Sequence, residues 1–88
     1  MIRRRVIIHG RVQGVFFRST LLHQAELEGV AGWAQNKADG TVEAVFEGDR
    51  AAVDRLVATA GEGPPAAQVE RVDVVEEEPE GLIGFHAG

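Results

Sequence analysis

The segment Gly10–Arg18, with the sequence GRVQGVFFR, carries the residues best suited to chemistry in this chain. Two glycines four residues apart lie between an apolar, strand-like run and an amphipathic, helix-like run. Glycine lets the backbone turn tightly and approach a ligand without a Cβ in the way. A loop of this kind at a helix N-terminus gathers unpaired N–H groups where the helix dipole already favours an anion. Arg18 adds a permanent, forked positive charge, so the segment predicts a cradle for a small oxyanion such as phosphate.

The loop differs from the two common nucleotide-binding loops. A Walker-type loop ends in Gly-Lys-Ser/Thr, whereas here Val15 follows Gly14. The dinucleotide pattern G-x-G-x-x-G is also absent. These differences favour a single phosphoryl or carboxylate group over a nucleotide. The alternative interpretation is a plain strand-to-helix turn with a solvated Arg18, although a cation at a helix start opposes the helix dipole.

Asn36 is the second candidate residue, because it ends a predicted strand just before the turn at Asp39-Gly40. An Asn amide both donates and accepts hydrogen bonds, so it can hold a nucleophilic water. The alternative is a turn-forming role, in which the side chain bonds its own backbone.

The remaining polar residues give weaker candidates. Ser19 and His23 lie one helical turn apart, but a nucleophile–base pair also needs an orienting acid and an oxyanion hole, which exposed helix positions rarely supply. The three histidines, at positions 9, 23 and 86, have no metal-ligand spacing, and the chain has no cysteine. We therefore expect no metal and no cofactor.

The charge is unevenly distributed along the 88 residues. A net charge of −5 argues against a nucleic-acid partner, because binding a phosphate backbone needs a basic face. Residues 1–25 contain five arginines and no acid, whereas residues 62–88 contain seven acids and one arginine. We interpret Arg3, Arg4 and Arg5 as strand residues that pair with acids on neighbouring strands. Steering of an anion toward the cradle is the alternative.

The apolar residues predict no membrane segment. The run behind the N-terminal arginines, Val6–Ile8, is too short for a signal sequence, and nothing approaches membrane-spanning length. We therefore expect no membrane partner, and the absence of cysteine fits a reducing, cytoplasmic location.

Hydrophobic periodicity identifies the elements that must position the candidate residues. Strands are predicted over Arg4–Val12, Val30–Gln35, Thr41–Glu47 and Gln68–Val75, and helices begin at Phe17 and after Asp49 and end at Gly29 and Gly61. Residues 82–86 are candidates for a further short edge strand. In the third strand, Val42, Ala44 and Phe46 are expected to face inward, and Thr41, Glu43 and Glu47 outward.

The order β-α-β-β-α-β predicts one α+β domain over residues 1–88. Right-handed crossovers place two helices on one face of a four-stranded antiparallel sheet. The expected architecture is a ferredoxin-like two-layer sandwich, with a short extra C-terminal strand if residues 82–86 pair.

The motifs together resemble those of the acylphosphatase family. Gly10–Arg18 is followed by GWAQN over Gly32–Asn36 and by DGTVE over Asp39–Glu43, and the similarity covers nearly the whole chain. The resemblance implies a small hydrolase that cleaves the carboxyl–phosphate bond of acyl phosphates without a metal or a covalent intermediate. It implies that Arg18 binds the phosphate, that Asn36 positions the attacking water, and that the loop surrounds the phosphate oxygens. The loop residues are Gln13, Gly14, Val15, Phe16, Phe17 and Arg18.

Three residues, Glu28, Ala34 and Lys37, depart from those usual in the family. We expect these departures to affect rate and stability and not the reaction type. We expect the partner of this protein to be a small-molecule acyl phosphate. We also expect the protein to be a monomer.

Three other functions remain open at this point. A non-catalytic module for phosphate or carbamoyl phosphate would bind without turnover, as would a small-anion or metal sensor. An RNA-binding sheet would need exposed aromatic residues on its central strands, whereas the few aromatic residues here lie mostly at core-like positions.

Overall fold

A computed structural model describes residues 1–88 and has five strands and two helices. The strands are β1 (Ile2–Arg11), β2 (Ala31–Asn36), β3 (Val42–Gly48), β4 (Gln68–Glu77) and β5 (Phe85–Ala87), and the helices are α1 (Phe17–Glu28) and α2 (Arg50–Glu62). The predicted order β-α-β-β-α-β is confirmed, with β5 as the short additional strand. Neither helix is long and apolar enough to cross a membrane.

The strands form one mixed sheet in the order β4-β1-β3-β2-β5. The first four strands pair antiparallel, as expected, whereas β5 pairs parallel with β2. The sheet is therefore five-stranded and mixed and not purely antiparallel. Because β4 and β5 lie at opposite edges, the chain between them must cross the end of the sheet. This crossing explains why β5 begins at Phe85, later than the predicted strand.

Both helices pack on the same face of the sheet. On this face, Val6 of β1 lies opposite Ala44 of β3, and Ala34 of β2 lies on the other side of Ala44. These residues form one buried core with Leu21 of α1 and Leu56 of α2. Full burial of a leucine side chain contributes roughly 1.5–3 kcal/mol, so this core fixes the two helices against the strands.

The opposite face of the sheet is covered by paired charges. Arg3 Nη1 donates to Glu47 at 2.6 Å, and Arg3 Nε donates to Glu77 at 2.8 Å. Arg5 makes the equivalent bonds to Glu43 at 2.6 Å and Glu77 at 2.8 Å. Arg4 Nη2 lies 3.6 Å from Glu76 of β4, so the interpretation of the three strand arginines as partners of acids on neighbouring strands is confirmed. We call Arg3, Arg5, Glu43, Glu47 and Glu77 the ionic network.

Glu47 corrects one expectation from the sequence, because its side chain is only 1% exposed. The carboxylate accepts backbone hydrogen bonds from Glu80, Gly81 and Leu82 at 2.9–3.1 Å, in addition to the bond from Arg3. Burial by itself would raise the pKa of Glu47, but these hydrogen bonds outweigh it and hold the pKa below its usual value. Glu47 thus points away from the helices as predicted, but the crossing segment covers it.

Candidate active site

The loop between β1 and α1 contains two residues in the left-handed backbone region. Gly14 has φ 73°, and Phe16, at the N-cap of α1, has φ 65° and ψ 25°. Phe16 is the one non-glycine residue with positive φ, a conformation that costs on the order of 1–3 kcal/mol. Such strain is typical of functional loops, where the surrounding structure must hold it.

Gly10 has a different role from Gly14. It lies in β1 at a bulge, and a Cβ there would meet the Gln68 carbonyl oxygen at 2.1 Å. A Cβ on Gly14 would meet nothing within 4 Å, because this residue borders an open cavity. Gly10 therefore allows the close approach of β4, and only Gly14 belongs to the predicted cradle.

The loop leaves a consecutive run of backbone N–H groups without acceptors. None of the backbone hydrogen bonds outside the helices and strands is donated by residues 13–16. Phe17, Arg18 and Ser19 occupy the first turn of α1, where N–H groups have no partner within the helix. These donors and the positive end of the helix dipole together favour an anion at this point.

The Phe16 carbonyl fixes the orientation of the far end of the loop. It accepts hydrogen bonds from the Ser19 hydroxyl at 2.9 Å, the Thr20 hydroxyl at 2.9 Å and the Thr20 N–H at 3.0 Å. Because a peptide unit is planar and trans, holding this carbonyl inside the helix turns the Phe17 N–H outward. The Ser19 hydroxyl is thus used by the backbone, and this geometry does not support the Ser19–His23 alternative.

Arg18 and Asn36 border the same cavity, which has a volume of about 480 Å³. The complete lining is Val12, Gly14, Phe16, Phe17, Arg18, Ser19, Leu22, Asn36 and Ala87. Arg18 is the one charged residue among them, and no acidic residue is present. The cavity therefore has the electrostatic character that an anion requires.

The guanidinium of Arg18 is only partly engaged by the protein. Its Nη1 donates to the main-chain oxygen of Gly88 at 2.7 Å, and no Asp or Glu side chain pairs with it. Nε and Nη2 remain to bind an anion, which a planar guanidinium can grip with two parallel hydrogen bonds.

Five of the seven predicted site residues line the cavity, and two do not. The five are Gly14, Phe16, Phe17, Arg18 and Asn36. The Val15 side chain is buried in the hydrophobic core, and the Gln13 side chain contacts the turn between β2 and β3. Gln13 and Val15 can therefore contribute to a cradle through their backbone N–H groups but not through their side chains.

The three residues that depart from the family pattern, Glu28, Ala34 and Lys37, make ordinary structural contacts. Lys37 Nζ lies 3.2 Å from Glu43, so its extra charge is paired. Glu28 accepts two hydrogen bonds from Arg55 at 2.8 Å, and Ala34 is buried in the core. No group of three or more His, Asp or Glu side chains is arranged to hold a metal ion.

Sequence reasoning missed the contribution of β5 to the site. Ala87 lines the cavity, and Gly88 holds Arg18 through its main-chain oxygen. No local pattern signals these contacts, because they depend on the parallel pairing of β5 with β2.

Comparison with known proteins identifies close relatives over nearly the whole chain. A sequence model of the acylphosphatase family matches residues 4–87. An acylphosphatase from Thermococcus kodakarensis is 54% identical over 84 residues, which cover 96% of this chain and 92% of that protein. One from Rubrobacter xylanophilus is 58% identical over 85 residues, with coverage of 94% and 76%. The crystal structure of acylphosphatase from Bacillus subtilis superposes with a TM-score of 0.96 at 36% identity, covering 100% of this chain and 99% of that one.

Proposed function

This chain is an enzyme of the acylphosphatase family, and we propose that it cleaves acyl phosphates by in-line attack of a water held by Asn36 on a phosphoryl group held by Arg18 and the loop backbone. The observation that carries the proposal is the run of acceptor-free N–H groups in residues 13–18 beside a guanidinium that no Asp or Glu side chain neutralises. The balanced reaction is acyl phosphate plus water giving a carboxylic acid and inorganic phosphate.

The phosphoryl group would be bound by groups that are already in place before the substrate arrives. The N–H groups of residues 13–18 would face its equatorial oxygens, and Arg18 would neutralise the charge that spreads over them in the transition state. Each preorganised donor of this kind contributes about 3 kcal/mol to catalysis. The N–H groups of Phe17 and Arg18 are fixed by the first turn of α1, so these donors need little reorganisation during the reaction.

The water would be positioned by Asn36, whose exposed side chain borders the same cavity. The amide oxygen can accept a hydrogen bond from the water, which directs a water lone pair toward phosphorus. A bond forms between the water oxygen and phosphorus while the bond from phosphorus to the acyl oxygen breaks. The acyl group leaves as a carboxylate, and the water protons pass to phosphate oxygens and solvent. A carboxylate is a stable leaving group, so the cavity needs no general acid.

A hydrolysis assay tests this proposal directly. With EDTA present, we expect the protein to hydrolyse benzoyl phosphate well above the spontaneous rate, with inorganic phosphate as a competitive inhibitor. Asn36→Ala should lower kcat strongly and change the phosphate inhibition constant little, because it removes the water's partner and leaves the cradle intact. Hydrolysis at the spontaneous rate would exclude the enzyme, and loss of activity on adding EDTA would exclude the metal-free mechanism.

A non-catalytic phosphate-binding module is the alternative that this assay separates. Such a module would bind inorganic phosphate with the same cradle and would show no turnover. A single domain over residues 1–88, a monomeric state and a cytoplasmic location stay predictions from the sequence.

A further inference from the structure

We propose that the side chain of Gln13 is a positioning residue that couples the phosphate loop to the turn that follows Asn36. Its amide nitrogen donates to the carbonyl oxygens of Lys37 at 2.7 Å and Thr41 at 2.9 Å. Both amide hydrogens are therefore used, one on each end of the β2–β3 turn. This role rests on the proposed function, because it concerns the position of Asn36 relative to the bound phosphoryl group.

The two carbonyl oxygens belong to a turn that is rigidly closed. The Lys37 N–H donates to the Thr41 carbonyl at 2.8 Å, and the Gly40 N–H donates to the Lys37 carbonyl at 3.1 Å. Asp39 adds hydrogen bonds from the N–H and hydroxyl of Thr41 at 3.0 and 2.6 Å. The turn therefore moves as one unit, and Lys37 carries Asn36 with it.

The loop, in contrast, has few attachments of its own. Residues 13–16 donate no backbone hydrogen bonds, and the far end of the loop is held through the Phe16 carbonyl. At the near end, Gln13 provides the polar connection, and it reaches 24 and 28 residues along the chain to do so. The side chain thus sets the spacing between the loop that would hold phosphate and the strand end that would hold water.

This spacing matters for rate and much less for phosphate binding. The N–H groups and Arg18 belong to the loop and α1, so a displaced turn leaves them together. The water belongs to Asn36, and an error of about 1 Å in its position relative to phosphorus can cost about 100-fold in rate. A side chain that merely stabilised the fold would change the amount of folded protein and not the balance between rate and binding.

Gln13→Glu is the sharpest variant, because it keeps the shape and replaces both donors. The ionised carboxylate would face two carbonyl oxygens, which repel it, whereas the protonated carboxyl can donate one hydrogen bond. The two carbonyl oxygens can accept a hydrogen bond only from the protonated form, so the pKa of the introduced carboxyl should lie above the ordinary range for Glu. Gln13→Ala has no donor at any pH.

The experiment measures kcat for benzoyl phosphate and the inhibition constant of inorganic phosphate between pH 5 and 8. For Gln13→Glu we expect kcat to fall about 10- to 100-fold at pH 7, with the inhibition constant within about threefold of wild type. The kcat relative to wild type should rise as the pH falls, and Gln13→Ala should show the loss without this recovery. Gln68→Glu is the matched control, because that glutamine is exposed and outside the cavity, and it should behave as wild type.

Other outcomes would overturn the role. Wild-type kcat in both Gln13 variants would show that the spacing does not depend on this side chain. Equal losses of kcat and phosphate affinity would show that Gln13 only shapes the loop. A loss of kcat in Gln13→Glu that does not change with pH would show the same. Absence of turnover in the wild-type protein would instead remove the proposed function itself.

Discussion

Arg3 and Arg5 lie on the face of the sheet opposite the helices and bind two carboxylates each at 2.6–2.8 Å. Arg18, at the start of α1, binds the main-chain oxygen of Gly88 and no Asp or Glu side chain. In the ionic network each guanidinium is neutralised by carboxylates of the same chain, so these arginines hold neighbouring strands together. At the cavity, the guanidinium of Arg18 and the free N–H groups remain available to bind a ligand. The difference separates a cation that stabilises structure from one that is available to a ligand.

A second contrast lies between the two helix starts, because Arg50 begins α2 much as Arg18 lies in the first turn of α1. Helix α2 follows Asp49, which has an ordinary negative φ, and no cavity borders its first turn. Helix α1 follows the left-handed Phe16 and a loop with unused donors. An arginine at a helix start is therefore not enough, and the loop in front of it makes the candidate site.

Substitution of Arg18 should give the largest effect on activity. Arg18→Gln removes the one positive charge of the cavity, and an arginine that stabilises a transferring phosphoryl group contributes about 10³- to 10⁵-fold. We therefore expect kcat/KM for benzoyl phosphate to fall by about 10³-fold or more, with little change in the free energy of unfolding. Arg50→Gln is the matched control and should keep wild-type kinetics. Equal activity of the two variants would remove the distinction between the helix starts.

Substitution in the ionic network should give the opposite pattern, a loss of stability with activity retained by the folded protein. Glu47→Gln leaves Arg3 buried with one close carboxylate fewer and weakens the anchor of the crossing segment. Removing one member of a buried pair costs about 3–5 kcal/mol when the other charge is left unpaired, and because Arg3 keeps its bond to Glu77 we expect urea denaturation to show a loss near the lower end of that range. Glu28→Gln breaks the exposed pair with Arg55 and should cost far less. Similar costs for both variants would show that burial of the network does not matter.

Acid should weaken the ionic network before it affects anything at the cavity. Burial raises the pKa of Glu43, but hydrogen bonds from Arg5 and Lys37 outweigh it, and Arg5 and Arg3 lower the pKa of Glu77. Burial likewise raises the pKa of Glu47, but its hydrogen bonds outweigh this effect and hold the pKa below its usual value. A carboxylate whose folded-state pKa is lowered stabilises the fold above its unfolded pKa, and this stability is lost as the pH falls through the folded value. The melting temperature should therefore be level near neutral pH and fall below about pH 4.5, more gently in Glu47→Gln. An unchanged acid profile in that variant would contradict the role of Glu47.

The fold was largely predictable from the sequence because most of its signals are local. Alternating apolar residues mark β1 and β3, and the apolar stripe of α2 ends near Gly61, so element order and type follow directly. The parallel pairing of β5 depends on a chain crossing that no short window contains. The same crossing covers Glu47, which explains why an acid on an alternating strand is buried.

The candidate site divides in the same way. Arg18 and the N–H donors belong to one continuous segment, and Asn36 ends the next strand, so residue types and spacing were enough to select them. The contribution of β5 and the contacts of the Gln13 amide join residues far apart in sequence. These contacts could be found only from the assembled fold.

A phosphate titration followed by amide NMR tests the central claim most directly, because it compares both regions in one experiment. With ¹⁵N-labelled protein, we expect saturable shifts at the amides of residues 13–18, and the amides of Arg3 and Arg5 in the ionic network should remain unchanged. Arg18→Gln should abolish saturation, and Asn36→Ala should keep it. Saturable shifts confined to Arg3 and Arg5, or none at residues 13–18, would contradict the assignment of the free donors and Arg18 to phosphate.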